Sequence, residues 1–345
     1  MEDLKLQNIF IQIAGTSVLA IFLYLYVNLI FMAATLKDIL VIGVSSRALF
    51  DLEKEEAIFQ KEGIDAYRAF QAENETTLLK PGTAYPLVKK LLQLNHLTDQ
   101  VLVEVIVMSR NSPETGVRML KTIEDLQLNI SRIALSGGAS LAPYMDGFQI
   151  DLFLSKDEKD VQAVIDSQSC AAGLIYQPPT DAGIETDEIR LAFDADAVIF
   201  SDESELRYKT EGIEAFHEFE AQHANTPLNK GPFADLIKKL SNIQVQLNQK
   251  LEKSPLRLAI VTARSAPSHM RVINTLREWG VIVDEAYFLG GLSKDKVLKA
   301  YGAHIFFDDQ ETHLDSSSKV VPSAKVPYMK DSELNLIQKK KTTVD

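Results

Sequence analysis

The segment DEIRLAFDADAVIFSDESE, residues 187–205, decides how the rest of the chain is interpreted. It contains the apolar run Ile189 to Phe193, and two carboxylates, Asp194 and Asp196, follow that run directly. A short apolar run with polar residues on both sides is typical of a strand that is buried in a parallel sheet. Because such sheets bind ligands at the carboxyl ends of their strands, the residues after each apolar run are the candidates for a site.

The same pattern recurs along the chain on both sides of this segment. Further apolar runs that predict strands are LKDILVIGV (36–44), VEVIVM (103–108), IDLFL (150–154), LRLAIV (256–261), VDEAYFL (283–289) and HIFF (304–307). Stretches with the periodicity of amphipathic helices separate these runs. Alternating strands and helices of this kind predict an α/β protein built on a parallel, Rossmann-like sheet.

The chain also contains an internal repeat. A shift of 149 positions aligns residues 45–91 with residues 194–240 without a gap. The motifs shared in this register are Glu-Gly-Ile at 62–64 and 211–213, a glycine at 82 and 231, and Lys-Lys-Leu at 89–91 and 238–240. Helix propensity alone does not hold one register over this length, so we expect two copies of one structural unit.

The repeat sets the predicted domain boundaries. The predicted segments are an apolar extension at 1–37, a first copy at 38–165, a connector at 166–187, a second copy at 188–328 and a polar tail at 329–345. Helical stretches at about 203–250, between the first two strands of the second copy, predict a small cap that covers the site.

The strand ends of the second copy carry polar residues of four kinds. These are Asp194 and Asp196 after the first strand, Thr262 at the end of the second, Lys294 after a Gly-Gly pair, and Asp308 and Asp309 after the last strand. One carboxylate can attack phosphorus and a neighbouring one can transfer protons. A further pair of carboxylates supplies oxygen ligands for Mg²⁺, and hydroxyl and ammonium groups hold phosphate oxygens. The set predicts phosphoryl transfer.

The order of these motifs resembles the haloacid dehalogenase (HAD) superfamily of phosphatases. A narrower resemblance, to the cytosolic 5′-nucleotidase I family, covers most of residues 38–328. It is carried by VSSRALFDLE (44–53), FDADAVIFSDESE (193–205), VTARSAPSHMRVINTLREWG (261–280), FLGGLSK (288–294) and HIFFDDQETH (304–313). The resemblance implies a duplicated HAD-like fold. It also implies that nucleoside 5′-monophosphates, AMP and deoxynucleotides among them, are hydrolysed to nucleoside and phosphate.

The resemblance also implies a role for each site residue. Asp194 is the expected nucleophile, which would form an aspartyl phosphate, and Asp196 is the expected general acid and base. Thr262 and Lys294 are expected to bind the phosphate, with Lys296 a less favoured alternative to Lys294. The expected Mg²⁺ ligands are Asp194, the main-chain carbonyl of Asp196, and one of Asp308 and Asp309.

Other polar residues near these motifs permit two interpretations. Arg264 is a candidate phosphate ligand, but a structural role is equally compatible with its position in both copies, where Arg110 is its counterpart. Asp202, Glu203 and Glu205 are interpreted as surface charges at the start of a helix, where acidic residues are favourable. The histidines show no spacing typical of a zinc site.

The first copy has lost these chemical groups. The residues aligned with Asp194, Asp196, Thr262, Lys294 and Asp308 are Ser45, Arg47, Met108, Leu141 and Ser155. This copy therefore cannot form an aspartyl phosphate or hold Mg²⁺ in the same way. Its expected role is that of a scaffold, a partner surface or a wall of the substrate pocket, and Ser45, Ser46 and Arg47 could still bind an anion.

Composition limits the partners and the compartment. The chain has 36 basic and 48 acidic residues, a formal net charge of −12, which argues against a nucleic-acid polymer as a partner. Its single cysteine, Cys170, cannot form an internal disulfide, as is usual in reducing compartments. Homo-oligomers remain possible.

The N-terminal 37 residues leave the localisation open. Residues 9–34 are apolar and long enough to span a bilayer, which predicts a membrane anchor with the catalytic part in the cytoplasm. The alternative is a cytoplasmic protein whose true start is Met32. Two rival functions also remain, namely a phosphatase for another small ester, such as a sugar phosphate, and a nucleotide-binding regulator without turnover.

Overall fold

The computed structural model describes residues 36, 38–179 and 186–342, and residues 38–345 belong to one compact unit. We call residues 38–179 the first half and residues 186–342 the second half. None of the helices in these described ranges is long and apolar enough to cross a membrane. The apolar segment 9–34 lies outside the described residues, so the predictions made for it stay predictions.

The first half contains seven strands and five helices among its described residues. They are β1 (Leu40–Ser45), α1 (Ser46–Leu49), β2 (Phe50–Asp51), α2 (Glu53–Glu73), β3 (Lys80–Pro81), α3 (Tyr85–Gln93), β4 (Val103–Ser109), α4 (Val117–Asp125), β5 (Arg132–Leu135), β6 (Leu152–Ser155), α5 (Glu158–Ser167) and β7 (Ala171–Ile175). Short 3₁₀ turns follow α3 and precede β6.

The second half continues with five strands and seven helices in the part that the structure describes. They are β8 (Ile189–Phe193), α6 (Glu203–Glu211), α7 (Ile213–Gln222), α8 (Ala234–Lys250), β9 (Leu256–Thr262), α9 (His269–Glu278), β10 (Glu285–Phe288), α10 (Asp295–Tyr301), β11 (Ile305–Asp308), α11 (Glu311–Ser317), β12 (Ser323–Lys325) and α12 (Glu333–Thr342). One π-helical turn, Ala195–Ile199, follows β8.

Ten strands form one sheet in the order β10-β9-β8-β11-β12-β7-β6-β1-β4-β5. All neighbours are parallel except β7 and β12, which pair antiparallel at the centre. Read outward from that central pair, the first half contributes β7-β6-β1-β4-β5 and the second half contributes β12-β11-β8-β9-β10. The prediction of an α/β protein with a largely parallel sheet is therefore confirmed.

The inner strands are buried along nearly their whole length, as their apolar runs predict. All six residues of β1 are buried, and so are six of the seven in β9. Such strands need cover on both faces, which the helices between them provide. The core of the sheet thus fixes the strand ends, and with them the positions of the side chains that follow.

Two pairs of equivalent glycines in the repeat are required by the local backbone geometry. A Cβ on Gly231 would lie 2.2 Å from the carbonyl oxygen of Phe200, and one on Gly82 would lie 2.7 Å from that of Ala48. The positive φ angles of Gly63 (84°) and Gly212 (88°) bend the chain within α2 and between α6 and α7. Only glycine adopts this geometry readily, so both halves keep it at equivalent positions.

Three predicted boundaries need correction. The predicted connector 166–187 contains strand β7, whose small residues Ala-Ala-Gly have low strand propensity and gave no signal. The predicted polar tail 329–345 contains helix α12, where Leu334 is fully buried. Helix α8, inside the predicted cap range, contacts β9 through a buried apolar face, so only 203–222 remains available for a cap.

Candidate active site

The end of β8 sets the position of Asp194. Its backbone N–H donates to the carbonyl of Phe307 on β11 at 2.8 Å, so the residue continues the sheet pairing beyond the strand. The π-helical turn begins immediately after it, and Ala197 within the turn has a φ of 57°. A positive φ is uncommon for a residue with a side chain and marks local strain, which is frequent at functional sites. The turn brings Asp196 to the same cavity as Asp194.

A buried lysine joins two of the carboxylates. The Nζ atom of Lys294 lies 3.0 Å from Oδ1 of Asp194 and 2.6 Å from Oδ2 of Asp308. The side chains of all three residues are at most 5% exposed. Lys294 is the N-cap residue of α10, directly after the turn that contains Gly290 and Gly291, whereas Lys296 is exposed. Lys294 therefore belongs to the buried group with Asp194 and Asp308, whereas which of the two lysines binds phosphate stays a prediction.

The close approach of these groups changes their pKa values. Burial raises the pKa of Asp194 to about 7, with Asp308 and Asp196 acting in the same direction and Lys294 opposing them. Burial opposes the charge on Lys294, but Asp194 and Asp308 outweigh it and raise the lysine's pKa. Burial also works against the charge on Asp308, yet Lys294 and then His313 bring its pKa below the ordinary value. Lys294 therefore stays protonated and Asp308 ionised at neutral pH.

The surrounding carboxylate oxygens and a histidine nitrogen fit a divalent metal ion. One possible ligand atom from each of Asp194, Asp308 and His313 lies within 4.8 Å of the others. Among the described residues, Oδ1 of Asp309 and Oε2 of Glu205 are buried without a hydrogen-bond partner. Burial, followed by the charges of Glu205 and Asp308, raises the pKa of Asp309 well above its ordinary value. Glu205 is also paired with Lys209, but a bound cation would compensate the carboxylate oxygens that lack a partner, and Mg²⁺ prefers oxygen ligands.

Asp196 is held by an arginine on the neighbouring strand end. The Nε and Nη2 atoms of Arg264 donate to the two carboxylate oxygens of Asp196 at 2.8 Å and 2.6 Å. Its Nη1 atom donates to Oε2 of Glu220 on α7 at 2.5 Å. Glu220 is fully buried, and its other oxygen accepts from Arg271 and Ser204, both at 2.9 Å. This chain of ion pairs connects α6 and α7 to Asp196.

Four of the predicted site residues line one cavity of about 490 Å³. These are Asp194, Asp196, Thr262 and Arg264, and helices α6 and α7 contribute Tyr208 and Phe216 to the same lining. Lys294 and Asp308 lie behind Asp194 through their ion pairs. Asp309 is turned away from the cavity, because its carboxylate accepts from the hydroxyl of Tyr328. The chemical roles predicted for these residues remain predictions, although the fold places the residues near one another.

The site also contains residues that the sequence patterns did not identify. Glu205 was interpreted as a surface charge, yet it is only 6% exposed and accepts from Gln310 at 2.9 Å. Glu220 carried no recognised motif, although its spacing from Phe216 places both on one face of α7. His313 lies 3.2 Å from both oxygens of Asp308. Their burial depends on how α6 and α7 pack over the sheet, and local periodicity does not reveal that packing.

The chain is similar to proteins of known type over most of its length. The family model described as 5′-nucleotidase matches residues 32–333. Human cytosolic 5′-nucleotidase 1B is 33% identical over 293 residues, which are 82% of this chain and 48% of that protein. This chain therefore spans about half the length of that relative. No solved structure matches it.

Proposed function

The chain belongs to the 5′-nucleotidase family, and from that premise we propose that it hydrolyses nucleoside 5′-monophosphates to nucleoside and phosphate. The observation that carries the proposal is the buried group of Asp194, Lys294 and Asp308 at one end of the sheet. Lysine offsets the negative charge of two carboxylates there, so an anionic phosphate can approach a carboxylate nucleophile. AMP and deoxynucleotides are the first substrates to examine.

Asp194 is the proposed nucleophile. Its carboxylate oxygen attacks phosphorus and forms an aspartyl phosphate, while the bond from phosphorus to the 5′-oxygen of the nucleoside breaks. Water then attacks the phosphorus of the intermediate, which releases phosphate and restores Asp194. Thr262 and Lys294 hold phosphate oxygens in both steps, because a hydroxyl and an ammonium can stabilise charge that develops in the transition state.

Asp196 is the proposed acid and base. It gives a proton to the departing 5′-oxygen and later takes one from the attacking water. Arg264 is in direct contact with it, and we assign to this arginine the positioning of the Asp196 carboxyl group. When Asp196 carries a proton, Glu220 remains as the anionic partner of Arg264, so a buried guanidinium is never left without compensation.

A divalent metal ion, proposed as Mg²⁺, fits the same place. Asp194, Asp308 and the main-chain carbonyl of Asp196 would hold it, because Asp194 and Asp308 belong to one cluster of possible ligand atoms. When bound, such an ion neutralises negative charge on the phosphate and orients it for attack.

We further infer that the two halves are copies of one unit, and that α6 and α7 form a cap. The duplication is supported by the identical strand order in both halves and by the equivalent glycines at 63 and 212 and at 82 and 231. The cap is supported by the side chains of both helices that line the cavity together with the strand ends. Cytoplasmic location is proposed from the human relative, whose name describes it as cytosolic.

A phosphate-release assay tests the proposed function. The panel comprises nucleoside 5′-monophosphates, nucleoside 3′-monophosphates and sugar phosphates, each with Mg²⁺ and then with excess EDTA. We expect release from the 5′-nucleotides in Mg²⁺ and its loss in EDTA, with Asp194→Asn as the inactive control. Faster release from sugar phosphates than from every 5′-nucleotide would overturn the substrate class, and full activity in EDTA would overturn the metal.

A further inference from the structure

The first half has a cavity at the place that matches the catalytic one. Its volume is about 790 Å³, compared with 490 Å³ in the second half. It opens at the carboxyl ends of β1, β4 and β6, and the Gly137-Gly138 turn lines it as Gly290-Gly291 lines the other. Both volumes fall within the range of pockets that bind small organic molecules.

The outer walls of the two cavities carry the same aromatic pair. Phe59 and Tyr67 on α2 meet edge to face, with ring centroids 6.0 Å apart and an interplanar angle of 77°. At positions shifted by 149, Tyr208 and Phe216 meet with a centroid distance of 6.3 Å and an angle of 74°. Two cavities that share this geometry present the same kind of surface to a planar ring.

Exposed apolar side chains line both cavities beside these pairs. Phe59 is 42% exposed and Ile64 is 46% exposed, and their equivalents Tyr208 and Ile213 are 50% and 49% exposed. Apolar side chains that face an open cavity are characteristic of a ligand-binding wall, since burial against a ligand is favourable.

The floors of the two cavities differ in charge. Where the second half has Asp194, Thr262, Lys294 and Asp308, the first half has Ser45, Met108, Leu141 and Ser155. All four replacements are buried and none is ionisable, so the floor offers neither a carboxylate for a metal nor an ammonium for a phosphate. The part of a ligand that contacts this floor must therefore be uncharged.

Three of the five cationic side chains that line this cavity are held in close ion pairs. Arg47 donates to Glu53 at 2.7 Å, and Lys156 donates to the same residue at 2.5 Å. Arg110, the counterpart of Arg264, is paired with Asp160. Together with the uncharged floor, these pairings reduce the positive charge available to a dianionic phosphate, which favours recognition of the neutral part of a nucleotide.

We propose that the first half binds the nucleoside portion of a small molecule and performs no chemistry on it. The base would contact the Phe59 and Tyr67 wall. The choice of a nucleoside rests on the proposed function of the second half, where the matching wall would contact the substrate's base.

Equilibrium dialysis of labelled adenosine against the full-length Asp194→Asn protein tests this inference without any turnover. We expect two adenosine sites per chain. Phe59→Ala should weaken one of them about tenfold or more, since stacking of a base on an aromatic ring is typically worth that much. Tyr208→Ala should weaken the other. Both side chains are about half exposed, so circular dichroism should show that each variant keeps the fold.

The outcomes separate this inference from the proposed function. Absence of the site sensitive to Phe59→Ala, with the site sensitive to Tyr208→Ala present, would overturn the inference alone. Absence of only the site that is sensitive to Tyr208→Ala would count against the proposed function. A parallel dialysis with AMP distinguishes the recognised part. If AMP binds the first half and adenosine does not, the phosphate is what is recognised and the inference is wrong.

Discussion

The two halves keep the same supporting contacts around different buried carboxylates. In the first half, Arg118 donates to the carbonyl of Thr77 at 2.6 Å and pairs with Glu55 at 2.5 Å. In the second half, the equivalent Arg271 donates to the carbonyl of Thr226 at 2.9 Å.

The carboxylate that pairs with Arg271 comes from elsewhere. It is Glu220, whose equivalent in the first half is Gln71. The equivalent of Glu55 in the second half is Ser204, which has no carboxylate. In the second half Glu220 also bonds Arg264, which holds Asp196. The position of this carboxylate therefore differs between the halves, and only in the second half do its ion pairs connect α7 to Asp196.

The largest contrast between the halves should appear at the first strand. Asp194→Asn removes the nucleophile while keeping its shape, so phosphate release from AMP should fall by at least about 10⁴-fold. The matched change Ser45→Ala in the first half should leave turnover within a few-fold of wild type. Steady-state phosphate release measures both, and near-normal turnover by a clean Asp194→Asn protein would rule out the covalent mechanism.

Replacement of Asp196 should slow substrates with a poor leaving group more than substrates with a good one. Loss of proton transfer in Asp196→Asn should lower AMP hydrolysis by about 10²–10⁴-fold. Formation of the aspartyl phosphate from p-nitrophenyl phosphate should suffer far less, because p-nitrophenolate leaves without a proton. Burst kinetics with both substrates measure the difference. Equal losses for the two substrates would contradict the acid role of Asp196.

A pair of matched variants should test whether the ion pairs that connect α7 to Asp196 affect turnover. Glu220→Gln weakens the support of Arg264, so kcat for AMP should fall by about 10- to 100-fold through misplacement of Asp196. Glu55→Gln disturbs the corresponding buried ion pair in the first half and should lower stability without that loss of kcat. Urea unfolding and kinetics well below the melting temperature test both. Equal kcat in the two variants would mean that Glu220 is only structural.

The smallest predicted difference is one of stability. The two halves cap an equivalent strand N–H with different groups, as Val41 donates to Asp151 at 2.8 Å and Arg190 donates to His304 at 3.1 Å. Burial lowers the pKa of His304 to about 4, whereas an unfolded histidine titrates near its ordinary value of about 6.5. The unfolded chain thus binds more protons between these values, and stability falls as the pH drops from about 6.5 toward 4.

His304→Asn places an amide oxygen near the position of the histidine nitrogen that accepts from Arg190, and it removes the group that titrates. It should flatten this pH dependence, with a difference of about 1 kcal/mol at pH 5 after allowance for partial solvent screening. His96→Asn, at an exposed position of the first half, is the control. Urea midpoints at pH 7 and pH 5 provide the measurement, and an unchanged slope in His304→Asn would contradict the assignment.

The sequence predicts those parts of the fold that have a local pattern of apolar and polar residues. The strands that end at Asp194, Thr262 and Asp308 are apolar runs, and their order along the chain fixes which residues can meet. Strand β7 gave no such signal, because its small residues become a strand only through pairing with β6 and β12.

The same limit applies to the site. Asp196 was predicted from its spacing after Asp194, but its partner Arg264 was assigned to phosphate or to a structural role. The hydrogen bonds from Arg264 to Asp196 and Glu220 depend on the packing of α7, which is more than 40 residues away in the chain. Contacts between distant segments of this kind follow from the fold and not from a motif.

The antiparallel pairing of β7 with β12 has a consequence for how ligands reach the protein. It reverses the strand direction at the centre of the sheet. The carboxyl ends of the strands in the two halves therefore lie at opposite ends of the strands' common axis. The two cavities therefore face away from each other, and the first half cannot form a wall of the catalytic one. Each cavity has its own entrance, and a molecule in one leaves the path to the other clear.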